Sequence, residues 1–98
     1  MIIEIKRDLE QTIIEVCGRL DATTAPTLDK TINDIIVDTK ILVLDFKGLK
    51  YISSAGISVL LKAQSKMQNN GLMKIVNAFE EVMNVFKITE VIDILTIE

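Results

Sequence analysis

Two extended runs at the start of the chain predict a β-hairpin. Residues 2–9 alternate imperfectly between apolar and polar side chains, and residues 11–20 are rich in β-branched ones. Asp8 to Gln11 forms a plausible tight connection between the two strands. Alternation along the second strand puts Cys17 on the face opposite Ile14, and we expect Cys17 to be a small core residue.

The apolar period changes between residues 20 and 40 and predicts a helix. The apolar stripe comprises Leu28, Ile32, Ile35 and Ile36, at the i, i+4, i+7, i+8 spacing of one helix face. Thr23 or Thr24 can cap this helix, and Pro26 suits its first turn, where a missing N–H is tolerated.

A continuous apolar run over residues 40–46 predicts a central strand that is buried on both faces. A helix is expected after a short loop and the serine pair at 53 and 54. Its apolar positions are Ile57, Leu60, Leu61 and Met67. The sequence NNG at 69–71 predicts the end of this helix, with a glycine in the left-handed conformation.

The last third of the chain predicts a strand, a helix and a final strand. Residues 72–77 form the first strand, and Asn77 stands three residues before Glu80 in a pattern that resembles a capping box. The helix that follows has an apolar face of Phe79, Val82, Met83 and Phe86. Residues 92–98 predict a short final strand.

The element order β-β-α-β-α-β-α-β predicts an α/β fold. Strands that alternate with helices imply right-handed crossovers and a largely parallel sheet, to which the first hairpin adds an antiparallel edge. We expect a mixed, mostly parallel sheet of four to five strands with three to four helices. No linker or repeat interrupts the pattern, so one domain is expected to fill residues 1–98.

Charge and composition exclude several classes of function. The net charge is −3, and no basic stripe appears, which argues against binding to nucleic acid or an anionic membrane surface. No apolar run approaches the ~18 residues that span a bilayer. A single cysteine and no apolar leader favour a reducing cytoplasm. No metal site or cofactor is expected, since the chain has no histidine and no glycine-rich phosphate loop.

The sequence YISSAGISVLL, residues 51–61, places two serines where a strand-like run gives way to a helix. A hydrolase elbow needs flanking glycines and a histidine base, and both are missing. A Ser–Lys pair is formally open but has no support from a desolvated lysine. We therefore predict no enzymatic activity. One of Ser53 and Ser54 is expected to cap the helix, and Gly56, a poor helix former, suggests close approach by another molecule.

This stretch resembles the signature of STAS domains, the sulphate-transporter and anti-sigma-factor-antagonist fold. CGRLDATTAPTL at 17–28 resembles the other characteristic segment of the family, a strand ending in G-x-L-D before a Thr-Ala helix start. The resemblance covers essentially all 98 residues. A free-standing domain of this size looks like an anti-anti-sigma factor.

The resemblance also implies site residues. The phosphorylated hydroxyl of the family falls on Ser54, with Ser53 as the alternative acceptor. Ser53 stands where the usual pattern has Asp, and Ala55 where it has Ser or Thr. Asp21 matches the partner-contacting aspartate of the family. The implied partner-binding residues are Asp21, Thr23, Thr24, Ser53, Ser54, Ala55 and Gly56.

The implied function is that of an anti-sigma factor antagonist. An anti-sigma factor serine kinase would bind the unmodified protein and phosphorylate it, and a serine phosphatase would reverse the modification. The sequence leaves open a non-switching STAS subunit or scaffold of a larger complex, such as a lipid-transport assembly. It also leaves open a module that binds a small ligand or nucleotide. The oligomeric state is likewise open.

Overall fold

A computed structural model describes residues 1–69 and 71–98. Within them it has five strands and three helices. The elements are β1 Ile2–Arg7, β2 Gln11–Leu20, α1 Ala25–Ile35, β3 Ile41–Asp45, β4 Leu49–Ile52, α2 Ser54–Gln68, β5 Leu72–Val76 and α3 Glu80–Ile88.

The sheet has the mixed, mostly parallel arrangement that the sequence predicts. The strand order is β1-β2-β3-β5. β4 lies off this path and pairs with residues 18–20 of β2, after the part of β2 that pairs with β3. The β1–β2 hairpin is antiparallel, whereas β2–β3, β2–β4 and β3–β5 are parallel. At the hairpin turn, the Asp8 carboxylate accepts hydrogen bonds from the N–H groups of Glu10 and Gln11. The predicted fold class is confirmed.

The core lies between the sheet and the helices. Residues 42–45 of β3 are all buried, as the continuous apolar run predicts for a central strand. The predicted stripes of α1 and α2 face this core through Leu28, Ile32, Leu60 and Met67, each at most 1 % exposed. Burial of such side chains typically contributes about 1.5–3 kcal/mol each.

The strand β4 was missed by the sequence patterns, which made residues 47–51 a loop. Its burial pattern is buried, exposed, exposed, buried, so no alternation marks it as a strand. It pairs with β2 across a register irregularity between Gly18 and Arg19. This strand brings Ser53 and Ser54 to the end of β2.

The predicted strand over residues 92–98 is wrong apart from a single bridge between Ile75 and Ile97. Val91 and Leu95 are both buried, and the N–H of Leu95 donates to the carbonyl of Val91 at 3.1 Å. A helical turn therefore buries these two side chains, because residues four apart face the same side.

Two predicted helix ends are built differently. Asn77 does not cap α3, because the N-cap position belongs to Phe79, which is half exposed. Asn77 instead has a φ of +61°, and its side-chain amide donates a hydrogen bond to Asp45 at 3.1 Å. At the end of α2, Gly71 is not left-handed, since Gly18 is the one glycine with positive φ among the described residues. The neighbouring Asn70 of the predicted NNG turn lies outside the described residues.

Cys17 is half-buried rather than a core residue, which corrects its sequence assignment. It lies on the face of β2 opposite the core, and its side chain packs over Gly48, where an added Cβ would lie 2.5 Å from Sγ. Its thiol therefore fills a small surface gap between β2 and the β3–β4 loop.

Candidate functional site

The two motif segments meet at the carboxyl ends of β2 and β4. Arg19 pairs with Tyr51 and Leu20 with Ile52 in the parallel register. One residue further on, the N–H of Ser53 donates to the carbonyl of Leu20 at 2.9 Å. Residues that are about 30 positions apart in sequence are thus adjacent, and both chains leave the sheet here.

The two serines occupy different environments. Ser53 is the N-cap residue of α2, with extended backbone, and its carbonyl accepts the first helical hydrogen bond from Ile57. Its hydroxyl makes no capping bond and, within the described part of the chain, is buried without a hydrogen-bond partner. Ser54, the first residue of α2, is exposed to solvent. The predicted serine at the N-cap is therefore present, but the predicted capping bond is not.

Gly56 serves internal packing, contrary to the expectation that it admits another molecule. It is buried, and a Cβ added to it would lie 2.8 Å from carbon atoms of both Leu20 and Ile52. The first turn of α2 therefore sits directly on the ends of β2 and β4. This close approach sets the position of Ser54 relative to the loop after β2.

The loop after β2 is held by Asp21. Its Oδ1 accepts hydrogen bonds from the hydroxyl of Thr23 at 2.7 Å, the N–H of Thr23 at 3.0 Å and the N–H of Thr24 at 3.3 Å. The Thr24 hydroxyl accepts from the N–H of Asp21 at 2.9 Å and donates to the carbonyl of Arg19 at 2.8 Å. Thr24 is the N-cap residue of α1 but makes no conventional side-chain cap bond.

These hydrogen bonds lower the pKa of Asp21. The hydroxyl of Thr23 and then its N–H are the largest causes, and both favour the ionised carboxyl. A folded-state pKa below the unfolded one gives a contribution to stability that is present above the unfolded pKa, near 3.9. That contribution is lost as the pH falls through the lower, folded pKa.

Asp21→Asn is expected to destabilise the protein most at neutral pH. The difference from wild type in the free energy of unfolding should be full at pH 6–7 and shrink below about pH 4, where the unfolded Asp21 is protonated. Urea unfolding at both pH values measures it. Asp93→Asn, at an exposed aspartate, is the charge-matched control. A difference that grows on acidification would contradict the role given to the Asp21 charge.

A cation beside this loop was missed by the sequence patterns. The guanidinium of Arg19 lies over the ring of Tyr51, 4.1 Å from its centroid, and its Nε is 3.7 Å from Oδ2 of Asp21. The cross-strand pairing of Arg19 with Tyr51 brings them together. Because the sequence patterns do not predict β4, they give no indication that Arg19 and Tyr51 are neighbours.

A groove lies between the N-terminal parts of α1 and α2. Its volume is about 410 Å³, and it is lined by Ala22, Ala25, Pro26, Asp29, Ala55, Ser58, Val59 and Lys62. Most of these side chains are small or apolar, and an ion pair between Lys62 and Asp29 at 3.7 Å crosses it. The half-buried Ala55 connects the groove to Ser54, so the two form one continuous surface.

The described residues include no group of three or more histidine, cysteine, aspartate or glutamate side chains that could hold a metal ion. Within the same part of the chain, no helix is both long and apolar enough to cross a membrane.

Three solved structures illustrate the likeness of the fold. Unphosphorylated SpoIIAA, an anti-sigma factor antagonist, is 17 % identical with a TM-score of 0.85, over 99 % of this chain and 88 % of that one. An anti-sigma factor antagonist from Mycobacterium paratuberculosis is 18 % identical with a TM-score of 0.89, over 98 % and 83 %. The murine anion transporter Slc26a9 is 20 % identical with a TM-score of 0.75, over 90 % of this chain and 15 % of that one.

At these identities the likeness shows a shared fold. No curated protein sequence matches the chain. The sequence profile of the STAS domain, in contrast, matches residues 2–98. The chain therefore belongs to the STAS domain family.

Proposed function

We propose that this protein is an anti-sigma factor antagonist whose binding to an anti-sigma factor kinase is switched by phosphorylation of Ser54. One observation supports this most directly: the hydroxyl-bearing Ser54 is exposed beside the Asp21 loop, whereas the hydroxyl of Ser53 is buried. A kinase active site can reach the hydroxyl of Ser54, whereas it can reach that of Ser53 only after local opening of the structure. The unmodified protein sequesters the kinase in the cytoplasm and so releases a sigma factor.

The proposed reaction transfers the γ-phosphoryl group of ATP to Ser54. A bond forms between Oγ and the γ-phosphorus as the bond from that phosphorus to the β,γ-bridging oxygen breaks, and ADP leaves. The hydroxyl proton passes to a base of the kinase. No base from this chain is required, which agrees with its having no histidine.

The fold tolerates the added charge, so the switch acts at the interface. An anion at a helix N-terminus is stabilised by roughly 0.3–1 kcal/mol, and Ser54 is the first residue of α2. The phosphate carries about −1.5 to −2 charges at neutral pH. Desolvating it against a docked partner opposes binding, and the Asp21 carboxylate, in the loop after β2, adds a negative charge at the same end of the sheet.

The partner-binding surface of this proposal comprises the Asp21 loop, with Thr23 and Thr24, and the start of α2. The groove beside Ala55 extends it and offers a small apolar recess for a partner side chain. Ser53 and Gly56 contribute indirectly to this surface. The hydroxyl of Ser53 and the whole of Gly56 are buried, and their packing supports the backbone that carries Ser54.

Two other functions give different results in binding experiments. In a non-switching STAS subunit of a larger assembly, Ser54→Asp would leave partner binding unchanged. The Slc26a9 match shows that the fold also forms part of a transporter chain. In a small-ligand module, a compound would occupy the groove of about 410 Å³, a volume within the usual range for ligand sites.

Ser54→Ala is expected to abolish phosphate transfer, because it removes the only oxygen that forms the new bond. The protein is incubated with ATP and each anti-sigma factor kinase of its source organism, and the phosphate is located by mass spectrometry. Ser53→Ala is the matched control and should accept phosphate at the wild-type level. Transfer that survives Ser54→Ala would reassign the acceptor, and no transfer to wild type by any such kinase would overturn the proposed switch.

A further inference from the structure

Arg19 is an exposed cation with an unusually restricted position. Its side chain is 64 % exposed, yet Tyr51 lies against one face of the guanidinium and Asp21 against its Nε edge. The distance to Asp21, 3.7 Å, exceeds that of a hydrogen bond. Among the described residues, no hydrogen bond uses the guanidinium, so its N–H donors remain available to a ligand.

Arg19 is the last but one residue of β2, at the same end of the sheet as Ser54, the first residue of α2. Its strand partner Tyr51 stands three residues before Ser54, and the next pair toward the carboxyl ends of the two strands is Leu20 with Ile52. The Leu20 carbonyl is bonded to the N–H of Ser53. Because Asp21 lies beyond Leu20, the contact with Asp21 directs the guanidinium toward the end of the strand where α2 begins.

We propose that Arg19 is the phosphate-binding residue of the modified protein, in which its guanidinium leaves Asp21 and pairs with the phosphate on Ser54. This inference rests on the proposed phosphorylation of Ser54 and adds the residue that receives the new charge. No bond forms or breaks in this step beyond the exchange of one ion pair for another.

The charges favour this exchange. Asp21 offers one negative charge at 3.7 Å, and its Oδ1 is already engaged by Thr23 and Thr24. The phosphate offers up to two charges and three acceptor oxygens, which match the fork of donors on a guanidinium. The ring of Tyr51 holds the cation near the site in both states, so less side-chain freedom is lost when the new pair forms.

The exchange would alter the surface seen by a partner. In the unmodified protein, Arg19 partly neutralises Asp21, the predicted partner-contacting carboxylate. In the modified protein, Arg19 is withdrawn to the phosphate, and Asp21 and the phosphate both face the partner. Phosphorylation would thus change both the charge at Ser54 and the charge that Asp21 presents to the partner.

The test is a measurement of the phosphate pKa in protein that carries phosphoserine at position 54, introduced during translation. Titration followed by ³¹P NMR gives this value without a kinase. Arg19→Gln is expected to raise the phosphate pKa by about 0.2–0.7 pH unit, the shift that corresponds to an exposed ion pair. Arg19→Lys keeps the charge and should recover part of the wild-type value.

Arg7→Gln is the matched control, because it also removes one exposed arginine. Arg7 pairs with Thr12 at the other end of β2, about 20 Å from Arg19 along the strand, and should leave the phosphate pKa unchanged. Equal values for Arg19→Gln, Arg7→Gln and wild type would overturn the assignment of Arg19. Since the phosphate is installed in translation, that result would leave the kinase reaction untouched, and a failed kinase reaction would leave this measurement intact.

Discussion

Gly71→Ala is expected to lower the free energy of unfolding by about 3 kcal/mol, at the upper end of what overpacking usually costs. A Cβ added to Gly71 would overlap the carbonyl oxygen of Lys40, with the carbonyl carbon 2.8 Å away. That oxygen also accepts the hydrogen bond from the N–H of Leu72 at 2.8 Å, at the point where β5 joins β3. The backbone cannot yield without weakening this junction of the sheet.

Gly48→Ala provides the matched control, because the same methyl group meets a side chain there. Its nearest obstacle is Sγ of Cys17 at 2.5 Å, a half-exposed group that can rotate away. Urea unfolding of both variants should therefore show a clearly larger loss for Gly71→Ala. Losses of equal size, or a change below 0.5 kcal/mol for Gly71→Ala, would count against a backbone clash as the reason for glycine at this position.

Much of the fold could be predicted because its elements carry their own period. The stripe through Leu28 and Ile32, and the continuous run over residues 40–46, mark α1 and β3 without reference to the rest of the chain. β4 could not be found in this way. It has four residues, and its buried ends, Leu49 and Ile52, are determined by β2 and α2 and not by alternation.

The sequence predicted which residues belong to the candidate site but not how their side chains are arranged. The resemblance implied Ser54 as the acceptor and Asp21 as a partner-contacting residue, and the two residues lie at the same end of the sheet. The burial of the Ser53 hydroxyl and the stacking of Arg19 on Tyr51 depend on the register between β2 and β4. That register arises from tertiary pairing across the irregularity between Gly18 and Arg19, which no local pattern encodes.

Gly56→Ala is the second change for which we expect a large effect, a net loss of up to about 2 kcal/mol in the free energy of unfolding. Helix propensity alone would favour alanine by up to about 1 kcal/mol. Against this, the new methyl group would lie 2.8 Å from buried atoms of both Leu20 and Ile52, and overpacking of that kind typically costs 1–3 kcal/mol. Ser65→Ala, on the exposed face of α2, should change stability by less than about 0.5 kcal/mol.

A double-mutant cycle with Leu20→Ala identifies the cause. Leu20 is fully buried, and Leu20→Ala alone should cost about 2–5 kcal/mol. It also removes the Leu20 atoms that the methyl group at position 56 would meet, while those of Ile52 remain. Part of the overpacking is therefore relieved, and the double variant should be more stable than additivity predicts by at least about 0.5 kcal/mol. In the kinase assay, Gly56→Ala should slow phosphate transfer because α2 is pushed off β2 and carries Ser54 with it, and the double variant should recover part of the rate. Strict additivity, with transfer unaffected by Gly56→Ala, would mean that the packing of this glycine on Leu20 does not position the acceptor.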